Sequence, residues 1–222
     1  MKKAADVFRI VLIIILLMII AFSGYKLFTI FMKYHEVSAA NEEMREEYIY
    51  IDEEGMPEVD FEKLIDANPD VVGWIYIPDT NVNYPVVKGK DNYVYLTNDY
   101  RRQYSFAGAI FMDVACSSDF SDQETMIYGH NMHNGDMFGR LKKFEDDAYR
   151  EAHREIYILL PSGDIMKYSA RIGEYISVKD DVYSLPKKGD GPETLVLSTC
   201  TDDSSDTTRF VLIGDYEDTI KG

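Results

Sequence analysis

A chain of 222 residues with 46% hydrophobic and 13% aromatic side chains is long enough for one sizeable core and too apolar to be disordered. Its net charge of −16 is unevenly spread: residues 1–33 hold five basic side chains against Asp6, leaving 18 basic and 38 acidic ones for residues 34–222. An acidic body of that kind repels phosphate backbones, which argues against nucleic-acid binding.

The N-terminus gives the clearest signal. Ile10–Phe22 is an uninterrupted apolar run, and the apolar character continues to Met32 with Lys26 as its single charge. Residues 10–32 are therefore expected to span a bilayer, with Lys26 snorkelling to the interface. Lys2, Lys3 and Arg9 precede the span, so residues 1–9 are expected in the cytoplasm and the acidic body outside. A cleaved signal peptide ending near Ser23 is the alternative, and the apolar stretch beyond Gly24 favours an anchor. Residues 33–59 read as a polar stalk, helical in its first half.

The body is expected over 60–222. A short helix starts at an Asp60 N-cap and stops at Asn68-Pro69. From Val71 onward the pattern is β. Strand candidates are 71–78, 83–87, 108–113 and 125–130, separated by Pro, Gly, Asn and Asp. A helical excursion is expected between Met137 and His153. A hairpin then turns at Pro161–Asp164, and Met166, Tyr168, Ala170 and Ile172 alternate along its second arm. Runs at 194–199 and 209–216 close the chain. The 17 tyrosines suit a pleated surface. The expectation is one all-β domain closed into a barrel, since closure removes unpaired edges.

Two cysteines allow at most one disulfide, and a chain that depended on bridges would carry more, so both read as free thiols. Cys200 ends the apolar run Leu195–Leu197 and opens a loop of hydroxyls and acids. It reads equally as a rim nucleophile or as a small core hydrophobe. A nucleophile at neutral pH needs a cation or a base beside it, because the thiolate attacks and the free thiol has a pKa of about 8.5. Arg209 opens the next strand, so antiparallel pairing would return its guanidinium beside Cys200. There it would favour the thiolate or an oxyanion. A surface arginine paired with Asp202, Asp203 or Asp206 is the other reading. His130, just past a strand in "IYGHNMHNGDMF", suits an acid–base role, with Gly129 permitting a tight turn before it. The His130-x-x-His133 spacing raises zinc, but zinc would need a third and a fourth ligand with similar ordering, so no metal site is expected. His35 and His153 read as solvated. Cys116 reads as a bystander.

Four blocks together, residues 74–96, 107–113, 127–144 and 197–214, resemble the sortases, most closely class B. The Tyr-Gly-His-Asn-Met and Ser-Thr-Cys blocks, followed by an arginine, carry the resemblance. It implies an eight-stranded sortase-type β-barrel with short peripheral helices, on a single-pass membrane protein whose catalytic domain is extracellular. It also implies Cys200 as nucleophile, His130 as acid–base and Arg209 as their partner, with Asn92, Tyr128, Ser198 and Thr199 lining the substrate groove and no metal or cofactor. The implied substrates are secreted surface proteins carrying a C-terminal sorting signal, of an Asn-Pro-x-Thr type. The implied acceptor is an amine of the peptidoglycan cross-bridge or its lipid-linked precursor. A hydrolytic cysteine peptidase, a pilus-polymerising sortase and a non-catalytic surface module are the alternatives. Class B members usually carry a long helical insertion before the cysteine strand. Here Ser177–Glu193 supplies 17 residues, too rich in Pro and Gly for a long helix.

Overall fold

The computed structural model describes residues 2–51, 56–187, 189, 191–200 and 207–222, without the side chains of residues 2–5, 7 and 200. The acidic loop Asp202–Asp206 lies outside the described residues. The chain divides into two compact units, Met1–Ala40 and Asn41–Gly222.

The first helix, α1, runs Lys2–Tyr48. Among the described residues it is the one helix long and apolar enough to cross a membrane. Its apolar side chains, such as Leu17, Ile20 and Phe22, are exposed in the structure, the pattern of a segment whose solvent is lipid.

The second unit starts before the barrel. Residues 41–59 differ from a solvated stalk: Met44 and Tyr48 are buried. The Arg45 guanidinium lies over the Tyr84 ring, 5.6 Å from its centroid. Glu47 pairs with Lys63 at 3.0 Å and Arg101 at 2.7 Å. Two three-residue strands, β1 (Ile49–Ile51) and β2 (Pro57–Val59), then pair antiparallel. Helix α2 (Phe61–Ala67) follows; the Asp60 side chain accepts from Lys63 N at 3.0 Å, and Asn68 caps the C-terminus. Both ends thus match their sequence signals.

Eight strands make the barrel: β3 (Val71–Tyr76), β4 (Asn83–Val87), β5 (Ile110–Met112), β6 (Glu124–Tyr128), β7 (Glu155–Leu159), β8 (Ile165–Ser177), β9 (Thr194–Cys200) and β10 (Thr208–Ile220). The closed order is β10-β8-β7-β3-β4-β5-β6-β9. Pairs β4/β5 and β6/β9 are parallel and the rest antiparallel. The expected helical excursion is a 3-10 turn, Leu141–Glu145, and helix α3 (Asp147–Ala152). Between β8 and β9 the structure has a 3-10 turn at Asp181–Tyr183 where a long helix would stand.

The core sits inside the barrel and under its covering loops. Trp74, Ile75, Val86, Met126, Ile127, Ile158, Val211 and Leu212 have no exposed surface. The same holds for Leu195, Val196 and Leu197, so β9 is covered on both faces, as its unbroken apolar run requires. Each such side chain stabilises the fold by about 1.5–3 kcal/mol through burial. Trp74 keeps its indole N–H satisfied by donating to Asn83 Oδ1 at 2.6 Å.

Candidate active site

Strand directions decide which residues meet. In the parallel ladder β6/β9, Tyr128 stands beside Ser198. The residues that follow each of these leave the sheet at the same rim. In the antiparallel ladder β9/β10, Arg209 stands opposite Cys200. Three positions far apart in sequence, 130, 200 and 209, therefore share one end of the barrel.

A cavity of about 250 Å³ opens there, lined by Asn92, Leu96, Phe111, Tyr128, Gly129, His130, Ser198, Thr199 and Arg209. Of the seven residues singled out by sequence, six are among those lining groups. The side chain of the seventh, Cys200, lies outside the described set, and its backbone ends β9 next to Thr199. His133 is exposed and lines a different pocket.

His130 is half-buried, and its Nε2 lies 2.7 Å from the Leu96 carbonyl oxygen. A carbonyl has no proton to give, so Nε2 carries the hydrogen and donates it. Nδ1 is then the nitrogen left to accept a proton or, in the cation, to give one up. Gly129 acts through size. Its φ is not among the positive values of the chain's glycines, and a Cβ there would meet Ile110 Cδ1 at 2.5 Å and Phe138 Cδ2 at 2.7 Å. The tight-turn reading of that glycine gives way to a close-packing one.

Arg209 is half-buried, and one guanidinium nitrogen donates to the Thr208 carbonyl at 2.9 Å. Among the described residues no carboxylate pairs with it. Its acidic loop candidates, Asp202, Asp203 and Asp206, lie outside that set.

The opposite wall is organised by a residue that sequence reasoning passed over. Asp113 is buried, 7% exposed, and its Oδ2 accepts from both Asn92 Nδ2 and Tyr128 Oη, each at 2.8 Å. Its Oδ1 accepts from Ala115 N at 2.8 Å. Asn92 Oδ1 accepts from Val114 N at 2.8 Å, so the amide has one permitted orientation. Burial and then the Asp113 charge push the Tyr128 phenol well above its ordinary range. It therefore remains a neutral donor throughout the working pH range. The Tyr128 ring also lies 5.3 Å from its cross-strand partner Phe111, giving the wall an apolar part. The signal for Asp113 was present as the acid that ends the apolar run "AIFM".

The short segment between β8 and β9 is tied to the cavity-lining Ser198. The Tyr183 hydroxyl and Ser198 Oγ are 2.8 Å apart. Lys187 reaches Glu124 at 3.3 Å and Asp181 at 3.5 Å. Cys116 lies elsewhere, 2% exposed, accepting from Met126 N through its sulfur at 3.4 Å. Burial pushes its thiol up to about 11, which makes it a poor nucleophile.

A family model of the sortase domain matches residues 75–217. The chain belongs to the sortase family. Over 94 residues this sortase is 44% identical to sortase B of Listeria monocytogenes, covering 42% of this chain and 37% of that protein. Over 158 residues it is 31% identical to sortase B of Staphylococcus aureus, covering 70% of this chain and 63% of that protein. The matches thus span less than two thirds of the length of either curated relative. A crystal structure of Staphylococcus aureus sortase B superposes with a TM-score of 0.64 at 25% identity, covering 85% of this chain and 97% of that one. Family, class B likeness and eight-stranded barrel agree with the resemblance read from the sequence blocks.

Proposed function

We propose that this sortase is a membrane-anchored cysteine transpeptidase that cuts a C-terminal sorting signal and passes the acyl group to an amine. The observation that carries the reading is the single cavity that gathers His130, Arg209, Asn92, Tyr128, Ser198 and Thr199 at the rim where the Cys200 strand ends.

The Cys200 thiolate attacks the carbonyl carbon of the scissile peptide bond, forming a C–S bond and placing the carbonyl π electrons on oxygen. The Arg209 N–H groups not given to Thr208 stabilise that oxyanion, with no carboxylate among the described residues competing for them. Its fixed charge also favours the thiolate over the thiol. When the tetrahedral species collapses the C–N bond breaks, and Nδ1 of the His130 cation delivers a proton to the leaving amine. Nδ1 holds this role because Nε2 is committed to the Leu96 carbonyl. The incoming amine then gives its proton back to Nδ1, attacks the thioester and expels the Cys200 thiolate.

The substrates on this reading are secreted proteins with an Asn-Pro-x-Thr type signal, and the acceptor is an amine of the peptidoglycan cross-bridge or its lipid-linked precursor. The exposed apolar surface of α1 over residues 10–32 supports a membrane anchor. The positive charges Lys2, Lys3 and Arg9 before the span support a cytoplasmic position for residues 1–9 and an outside position for the barrel.

The test uses the full chain in detergent with an Asn-Pro-x-Thr peptide and triglycine, followed by mass spectrometry. The expected products are the leaving fragment, a thioester on Cys200 and a triglycine adduct. Cleavage that yields acid alone, with no adduct at saturating triglycine, replaces the transferase with a hydrolase. Cys200→Ala should abolish the thioester. His130→Ala should lower kcat about 10²–10⁴-fold, and Arg209→Ala about 10²–10³-fold.

A further inference from the structure

The His130 imidazole is held by a residue of the cavity wall, Leu96, and by the groups behind it. We propose that the Leu96 carbonyl is the orienting partner of His130, and that Tyr95 is the positioning residue that keeps this carbonyl in place. The inference deepens the reading of His130 as acid and base, and rests on it.

Leu96 ends a three-residue 3-10 turn, Val94–Leu96, too short to be rigid by itself. Its rigidity comes from the residue before it. Tyr95 has no exposed surface. Its hydroxyl donates to Asp70 Oδ2 at 2.7 Å and accepts from Asn68 Nδ2 at 2.7 Å, while its backbone carbonyl accepts from Ala109 N at 3.0 Å.

The two side chains that grip the hydroxyl are themselves fixed. Asp70 Oδ1 is paired with Arg102 at 2.6 Å. Asn68, 1% exposed, also donates to the Tyr100 carbonyl at 2.6 Å and accepts from Asp70 N at 3.0 Å. Tyr95 is therefore held at both ends, and the next peptide unit has little room to rotate.

Gly108 closes the arrangement from the other side. It has φ +59°, and a Cβ there would lie 2.5 Å from Tyr95 O, 2.8 Å from Leu96 O and 3.0 Å from His130 Cδ2. A side chain at this position would drive the carbonyl and the ring apart. The absence of one lets the carbonyl reach Nε2 at 2.7 Å. A fixed carbonyl accepts and never donates, so it selects the Nε2–H tautomer of the neutral ring. This backbone group thus does what a third side chain does in a catalytic triad.

The experiment reads tautomer and kinetics separately on the full chain in detergent. Nitrogen-15 NMR of labelled histidine should show His130 as a single Nε2–H tautomer in its neutral form. Tyr95→Phe removes the hydroxyl and should give a mixture of tautomers. For peptide cleavage, kcat should fall about 10- to 100-fold, the scale of a misplaced catalytic group, with KM within about twofold. Gly108→Ala should move both readouts in the same direction. Asp70→Asn, which leaves an acceptor for the hydroxyl, should move them less.

Thermal unfolding of each variant identifies the folded ones on which the comparison is made. Where Tyr95→Phe does not fold, Asp70→Asn carries the test and must show a measurable tautomer admixture. A folded variant that keeps the single tautomer overturns the inference, whether or not kcat falls. A mixed tautomer with unchanged kcat supports the positioning of the ring and removes His130 from the acid–base step, so the two readings fail apart.

Discussion

Replacing Asp113 tests whether its carboxylate builds the cavity wall or merely occupies the core. Three donors converge on it: Asn92 Nδ2, Tyr128 Oη and Ala115 N. An asparagine offers one acceptor oxygen where the carboxylate offers two. With that oxygen in the Oδ2 position, Asn92 and Tyr128 keep their partner and the new NH₂ faces Ala115 N. Ala115 is exposed, so water can satisfy its N–H. The reverse orientation sets the NH₂ against the Asn92 amide inside the wall. The first arrangement is cheaper, and Asp113→Asn should cost about 1 kcal/mol, the low end for a lost partner. Asp113→Ala leaves all three donors without one and adds a void, for about 3 kcal/mol. At 2–4 °C per kcal/mol for a domain of this size, calorimetry should find Tm lowered by roughly 2–4 °C for Asn and 6–12 °C for Ala. KM for the peptide should rise in the Ala variant and hold in the Asn variant. Removing the charge also removes the largest cause after burial that raises Tyr128, so its phenol should titrate lower in both variants than in the native chain. An Ala variant that melts within 2 °C of the native chain, or a Tyr128 titration that does not move, would refute this account of the wall.

Other outcomes follow from the same structure. With its thiol pushed up to about 11, Cys116 is thiolate to roughly one part in a thousand at pH 8. Peptide mapping after iodoacetamide should therefore find Cys116 modified in the unfolded chain and untouched in the native one; rapid native labelling would contradict its burial. Glu155 is held below its usual range, first by its hydrogen bond from Lys167. A carboxylate with a lowered folded-state pKa stabilises above its unfolded pKa and loses that effect as pH falls through the folded one. Glu155→Gln should thus lower Tm slightly at neutral pH, by an amount set by less than about 1 kcal/mol for so exposed a pair, and the gap should close in acid. Trp74, the chain's single tryptophan, is wholly buried. Trp74→Ala should cost about 3–5 kcal/mol, and native tryptophan emission should be blue-shifted until the barrel unfolds.

Much of the barrel was legible because burial on the pleat leaves a period in the sequence. Strand β4 matches the expected 83–87 residue for residue, and α2 starts and stops at its predicted caps. Strand β8 runs five residues beyond the alternation that ended at Ile172, to Ser177. Its outer half carries exposed Arg171, Glu174 and Tyr175, so hydropathy fades while the ladder to β10 continues through Glu174↔Val211 and Ser177↔Thr208. The β1/β2 hairpin was missed because three-residue strands carry too little pattern to read. In the cavity, side chains with distinctive chemistry announced themselves. Leu96 did not, since its contribution is a carbonyl that every residue owns. Tyr95 and Asp70 looked like ordinary aromatic and acidic residues until the fold brought them together. Ser177–Glu193 was correctly read as unsuited to a long helix, yet its tie from Tyr183 to Ser198 needed coordinates.

The site also explains the direction of two strand pairings. Were β9 antiparallel to β6, the residues following Tyr128 and Ser198 would leave at opposite ends of the barrel, and positions 130 and 200 could not share a rim. The parallel β6/β9 ladder puts both exits on one rim, and the antiparallel β9/β10 ladder returns Arg209 to that rim. A slip of one residue in β10 would reverse which face each side chain occupies and carry the guanidinium out of the cavity. The register is held against such a slip where it matters. The β8/β10 irregularities fall at Ile213/Gly214 and Tyr216/Asp218, toward the far end of β10. The stretch beside the cavity is regular and locked by Phe210, Val211 and Leu212, each at most 1% exposed. Placing bulges at one end and close-packed apolar residues at the other lets a thirteen-residue strand curve around the barrel while Arg209 stays opposite Cys200.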